Sequence, residues 1–208
     1  MRVTSSSAAP VYLVSAAGVP NLGDELIARA WLDWLARAHP RVEVWLDCVE
    51  PGRAAHLLDG VHPRVRFTNT LWQLTHHGPD AAPDADEPRI RAIVRELGSP
   101  RIDAGLTLLR ATRSVHFLGG GYLNAVWRRN LGMLVAASEL RRSFGVPAFA
   151  TGQGFLPQSD DSAAWVSALL REFDFVESRD AQGARRLGVR AGLDDAFLAL
   201  GNERPVAS

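Results

Sequence analysis

The chain contains no lysine; all 23 of its basic side chains are arginine. That absence excludes the phosphate-cradling loop G-x-x-x-x-G-K-[ST]: Gly18 and Gly23 have its glycine spacing, but position 24 is Asp. The dinucleotide pattern G-x-G-x-x-G is also missing from this stretch. The exclusive use of arginine reads first as a composition bias of the genome. A single cysteine, Cys48, leaves no disulfide framework and no cysteine-based zinc site, and it reads as a small buried hydrophobe. His76-His77 lacks a second ligand pair at metal spacing, so no metal and no cofactor are expected. There is no G-x-S-x-G nucleophile elbow. No apolar run is long enough to span a bilayer, and Pro10 and Ser5 to Ser7 interrupt any signal-peptide pattern. These features predict a cytoplasmic location without membrane insertion. Acids and bases balance at 23 each, which argues against nucleic acid as a partner.

What is present is the inventory of a globular domain. Of the 208 residues 47% are hydrophobic and 22% charged, enough for one large core. Short apolar runs predict strands at Val11–Val14, Val42–Leu46, Val65–Phe67, Val115–Leu118, Ala148–Thr151 and Phe173–Glu177, with Val189–Leu193 as a candidate seventh. Helical periodicity predicts helices over 24–38, 122–144 and 161–172, and helical material over 89–97 and 101–111. Strands alternating with helices imply a doubly wound, mostly parallel, Rossmann-like α/β sheet. This domain is expected to span 11–198, between a disordered start at 1–10 and a tail at 199–208. Within it, 78–88 carries four acids and three prolines and reads as a mobile acidic loop. The tryptophans at 31, 34, 127 and 165 fall on apolar helical faces and are expected in the core.

Four unusual turns each follow a predicted strand: Gly18–Glu25, Gly119–Asn124, Thr151–Pro157 and Ser178–Asp180. In a parallel sheet the carboxyl ends of the strands share one edge, so the four turns should line one crevice. Asp24 and Glu25 stand where a phosphate loop would carry a base. Asp24 reads either as a helix cap or as an acceptor for hydroxyls and their protons. Gly119, Gly120 and Gly121 allow backbone to approach a ligand, and a helix starting at Tyr122 to Asn124 would leave its amide end free for an anion. Gly152, Gln153 and Gly154 offer a second close approach, or a tight turn needed for packing. Arg179 offers a planar fork for carboxylate or phosphate, or pairs with Asp180 or Glu177. His116 reads as a packed core histidine or as an acid or base aimed into the crevice.

The ordered set Asn21-Leu-Gly-Asp-Glu25, Gly119-Gly-Gly-Tyr-Leu123, Gly152-Gln-Gly154 and Ser178-Arg-Asp180 resembles the polysaccharide pyruvyl transferase family. So do Gly183–Val189 and Asp195-Ala-Phe-Leu198, and the resemblance runs over roughly 11 to 198. It implies the amino-terminal half of a two-domain GT-B-like fold. It also implies transfer of the enolpyruvyl group of phosphoenolpyruvate to sugar hydroxyls, closing a pyruvate ketal on a cell-surface polysaccharide. The expected partners are then phosphoenolpyruvate and a sugar or polysaccharide acceptor. For that chemistry the catalytic candidates are Asp24 and Glu25, with Asp24 the better base because it reads as sitting at the turn rather than inside the helix. The candidate substrate-binding residues are Asn21, Gly23, Gly119, Gly120, Gly121, Asn124, Gly152, Gln153, Gly154 and Arg179; the resemblance itself implies that Arg179 holds the donor and that the turn from Asn21 to Glu25 lies at the cleft. The family pattern continues beyond Leu198 into a second half with no counterpart in these residues, so a missing carboxyl-terminal domain is expected. Two other readings stay open: a non-catalytic domain binding carbohydrate or a partner, and a fragment of a nucleotide-sugar-dependent GT-B glycosyltransferase.

Overall fold

The computed structural model describes residues 9–76 and 83–200. The expectations of a disordered start, of the acidic loop and of the tail therefore lie outside the described residues over 1–8, 77–82 and 201–208. The strands are β1 (Val11–Val14), β2 (Val44–Asp47), β3 (Val65–Thr68), β4 (Ser114–Phe117), β5 (Ala148–Gln153), β6 (Phe175–Ser178) and β7 (Arg190–Ala191). The α-helices are α1 (Leu22–Ala38), α2 (Pro51–Leu58), α3 (Thr70–His76), α4 (Glu87–Glu96), α5 (Asp103–Arg110), α6 (Gly132–Phe144), α7 (Asp160–Leu170), α8 (Ala181–Leu187) and α9 (Phe197–Leu200). A 3-10 segment covers Ala125–Leu131.

All strand pairings are parallel, in one seven-stranded sheet of order β3-β2-β1-β4-β5-β6-β7. Alternate residues of β1 serve opposite layers, as the period-two geometry of a strand requires. Leu13 packs with Ile27, Leu32, Leu46 and Leu58 under α1 and α2. Tyr12 and Val14 pack on the other face with Leu71, Leu106, Leu134 and Val166 under α3, α5, α6 and α7. Both faces are covered, so the strands read as apolar runs rather than alternating ones. The chain order reverses between β1 and β4, which makes that gap the topological switch point where such sheets bind ligands.

Local chemistry explains several helix ends. Asn21 caps α1 by accepting from Gly23 N, Ser159 caps α7, and Gly145 and Gly188 stop α6 and α8 in the left-handed region. Two expectations need correction. The helix anticipated over 122–144 is broken: Asn124 caps the 3-10 segment, Trp127 has non-helical φ and ψ, and α6 begins at Gly132. The acidic stretch at 78–88 is not a loop to its end, because Glu87 and Pro88 already form the first turn of α4. Proline is tolerated there because a first-turn N–H would have no partner within the helix.

Candidate functional site

The turns after β1, β4, β5 and β6 meet at the carboxyl edge of the sheet, on both sides of the switch point. The turn after β1 is shaped by Gly18 (φ 89°), where a Cβ would stand 2.5 Å from Glu50 O. Only glycine meets both the positive φ and the close approach of the loop before α2. The turn delivers Asn21, whose amide does two things: Oδ1 accepts from Gly23 N at 3.1 Å and Nδ2 donates to Asp24 Oδ2 at 2.7 Å. Asn21 is thus the helix cap. Asp24 sits within the first turn of α1 rather than ahead of it, freed from capping. Its other oxygen, Oδ1, lies 2.9 Å from where a Cβ on Gly120 would be and accepts no hydrogen bond among the described residues. Burial raises the Asp24 carboxyl above its usual range, and neighbouring Arg179 pulls it back while Asp194 and Glu25 push it further up. A carboxylate with raised proton affinity next to a glycine turn is suited to accept a proton from a hydroxyl.

Arg179 approaches the same turn from the other side. Its guanidinium lies about 3.0 Å from the place a Gly154 Cβ would take and 3.8 Å from that of Gly121. Its partner is neither of the anticipated acids. Arg179 NH1 donates to Asp194 Oδ2 at 2.8 Å, while Asp180 caps α8 and Glu177 pairs with Arg190. The Asp194 carboxylate occupies a single guanidinium nitrogen, and the Arg179 side chain remains 37% exposed. Asp24 and Arg179 therefore flank Gly120 and Gly121, a base candidate and a cation across one glycine turn.

Other anticipated residues carry structure. Gly119 and Gly152 are covered by Asp195, whose Oδ2 accepts from Gly119 N at 2.8 Å, Thr151 Oγ1 at 2.7 Å and Trp31 Nε1 at 2.9 Å. A Cβ would stand 2.8 Å from the Asp195 side chain at Gly119 and 2.6 Å from it at Gly152, where φ is also +57°. Gln153 is fully buried, and its amide nitrogen ties the end of β4 by donating to Phe117 O and Leu118 O. Asn124 spends Oδ1 on Val126 N and Trp127 N and Nδ2 on Gly121 O, so the amide end expected to be free for an anion is already capped. Glu25 lines a separate groove between α1 and α2 with Arg53 and His56. The sequence reading did not assign Asp195 a role; its only signal was the motif Asp195-Ala-Phe-Leu198, and its partners lie up to 164 residues away.

His116 is a packed histidine. Nε2 meets Thr151 Oγ1 at 2.9 Å, the ring abuts Trp31, and burial lowers its pKa to about 4. Cys48 is buried, and burial pushes its thiol up to about 12, which removes it as a nucleophile. Among the described residues no group of three or more His, Cys, Asp and Glu could hold a metal ion, and no helix is long and apolar enough to cross a membrane.

Beside Asp24 the structure opens a cavity of about 330 Å³ that the sequence did not reveal. Asn21, Asp24, Trp72, Gly121, Tyr122, Trp127 and Asn130 are among its walls. Two of the tryptophans expected in the core are exposed: Trp127 at 59% and Trp34 at 39%. The break in the helix at Trp127 accounts for the first, since a helical phase no longer governs where that ring points.

The family model described as polysaccharide pyruvyl transferase matches residues 21–208, most of the chain. No curated protein matches the chain at a significant level.

Proposed function

Because the chain belongs to the polysaccharide pyruvyl transferase family, we propose that its crevice transfers the enolpyruvyl group of phosphoenolpyruvate to a sugar hydroxyl in polysaccharide synthesis. The observation that carries this reading is the pairing of Asp24 and Arg179 across Gly120 and Gly121. The donor carries a carboxylate and a phosphate, and Arg179 is suited to either by geometry and charge. The acceptor must lose a proton, and the raised proton affinity of Asp24 beside the glycine turn supports it as the base.

In this reaction a general acid protonates the donor's methylene carbon, leaving a cationic carbon stabilised by its oxygen. The sugar oxygen bonds to that carbon while its proton passes to Asp24. The carbon–oxygen bond to phosphate then breaks and inorganic phosphate leaves. Attack by a second hydroxyl of the same sugar, its proton passing to the departed phosphate, closes the ketal. One phosphoenolpyruvate and one diol become one pyruvate ketal and one phosphate. Arg179 must exchange Asp194 for the donor, a swap of one carboxylate for another. The resemblance places further donor-binding groups in a second half, and they belong to the same proposal.

Phosphate release from phosphoenolpyruvate, with and without pyranoside acceptors, tests the reading. Arg179→Ala should raise the donor KM roughly tenfold or more, and Asp24→Asn should lower kcat by about 100-fold with donor affinity kept. Full turnover in Asp24→Asn would remove Asp24 as the base, and an unchanged donor KM in Arg179→Ala would remove Arg179 from the donor. A second reading, a carbohydrate-binding domain without turnover, is favoured by the aromatic cavity beside Asp24. It expects sugar binding with no phosphate released.

A further inference from the structure

We infer that the cavity beside Asp24 is a subsite for a neutral hexopyranose, stacked by its C–H face on Trp127 and the Trp72–Tyr122 floor, with hydroxyls directed to Asp24 and Asn130. The inference rests on the proposed transferase reading for its role, as the acceptor site, but not for the binding itself.

The aromatic residues turn their polar ends away from the cavity. Trp72 Nε1 donates to Ser15 O at 3.1 Å, and Tyr122 OH shares its one proton between Val14 O at 3.1 Å and Leu118 O at 2.9 Å. Their rings lie 5.7 Å apart at a 42° tilt and are almost wholly buried, which leaves hydrocarbon as the cavity floor. Trp127 differs. It makes no ring contact among the described residues, no acceptor there meets its indole N–H, and more than half of it faces solvent. A large aromatic side chain held out beside a cavity on a capped, kinked segment is a ready stacking surface.

The polar atoms select the class of ligand. Asn130 is 5% exposed, and its Nδ2 is spent on Tyr122 O at 2.9 Å. Its Oδ1 has no donor among the described residues, yet the residue lines the cavity. Asp24 Oδ1 is likewise unpartnered. Two acceptors without a donor among the described residues, both in the cavity wall, suit a ligand rich in O–H groups. Among the described residues no arginine lines the cavity, and the one basic side chain in its wall, His76, places Nδ1 2.8 Å from Trp72 O. The nearest guanidinium, Arg179, lies beyond Gly121 and is paired with Asp194, so an anionic sugar would meet the Asp24 carboxylate with no free guanidinium in the wall, and a neutral ring is favoured. At about 330 Å³ the space lies at the lower end of small-molecule sites, suited to one ring rather than a chain. Gly121 lines the cavity and also lies beside Arg179, so a hydroxyl at the inner end of this subsite points toward the proposed donor.

The test is saturation-transfer NMR and titration of the full chain, without donor. The probes are the methyl glycosides of galactose, mannose and glucose, with methyl glucuronide as the charged comparison. At least one neutral glycoside should bind in the millimolar range, with saturation strongest on the protons of one ring face. Trp127→Ala should weaken it about tenfold and Trp127→Phe by no more than about threefold, with the melting midpoint unchanged because the side chain is exposed. Absence of binding by all three, equal binding by Trp127→Ala, or equal binding of the glucuronide would overturn the subsite. Phosphoenolpyruvate titrated separately against wild type and Arg179→Ala keeps the two ideas apart. Trp127-dependent sugar binding without donor binding retains the subsite and rejects the transferase reading; the reverse pattern does the opposite.

Discussion

Replacing Asp195 by alanine tests whether the loop before α9 clamps the carboxyl edge of the sheet. Asp195 Oδ2 accepts from Gly119 N at 2.8 Å, Thr151 Oγ1 at 2.7 Å and Trp31 Nε1 at 2.9 Å. The three donors belong to the turn after β4, to β5 and to α1, so one oxygen holds three elements in register. A hydrogen bond to a charged group contributes about 1.5–3 kcal/mol, and three counted independently would total roughly 4.5–9 kcal/mol. The true cost is lower: the donors share one acceptor, the carboxylate is only half-buried, and water can enter the vacated space. A loss of about 3 kcal/mol is expected, which for a chain of this size lowers the melting midpoint by roughly 6–12 °C. Asp195→Asn keeps one carbonyl oxygen of the same shape and should recover about half of that loss. Thermal and urea unfolding followed by far-ultraviolet circular dichroism measures both. A change below about 0.5 kcal/mol in Asp195→Ala, the range of ordinary surface substitutions, would refute the clamp. Gly119 and Gly152 would then regain their claim to face a ligand.

Gly152→Ala should lower stability by about 2 kcal/mol or more in the same assay, since it adds a Cβ 2.6 Å from Asp195 Oδ1 at a φ of +57°; wild-type stability would mean that the Asp195 loop yields freely. Asp47 is fully buried, with Tyr12 OH and Leu71 N donating to Oδ2, Oδ1 unpartnered, and a pKa raised by burial to about 7. The folded state thus holds this proton more tightly than the unfolded chain, whose value is about 3.9. Asp47 should favour folding below that value and lose this contribution as pH rises from about 4 through 7. Urea midpoints measured over that range should therefore shift steadily in favour of Asp47→Asn relative to wild type, and a pH-independent difference would refute the assignment.

The fold was largely legible in the sequence because its signals are local. Four-residue apolar runs separated by helical periods give parallel strands whatever lies elsewhere in the chain, and six of the seven strands overlap their expected positions closely. β7 shrinks to Arg190–Ala191, and the short helices α2 and α3 were not individually anticipated because each spans only about two turns. The candidate site was legible only as a set of loops, since glycine-bearing turns after parallel strands must share an edge. Its inner arrangement was not. Asn21 rather than Asp24 caps α1, through an amide orientation that composition does not encode. Arg179 chooses Asp194 over the two acids beside it in sequence.

What the sequence by itself determined is the order of elements, the parallel sheet, the edge at which chemistry can occur and the family. These follow from periodicity and short motifs, which are properties of neighbouring residues. Only the tertiary structure decided which glycines lie beside Asp24 and Arg179 and which lie against Asp195. The same is true of Gln153's burial and of the emergence of Trp127 from an expected core face beside a cavity. The physical reason is distance along the chain. The hydrogen bond from Gly119 to Asp195 joins residues 76 apart and that from Trp31 joins residues 164 apart, so the packing that assigns each turn its role exists only once the whole sheet has formed.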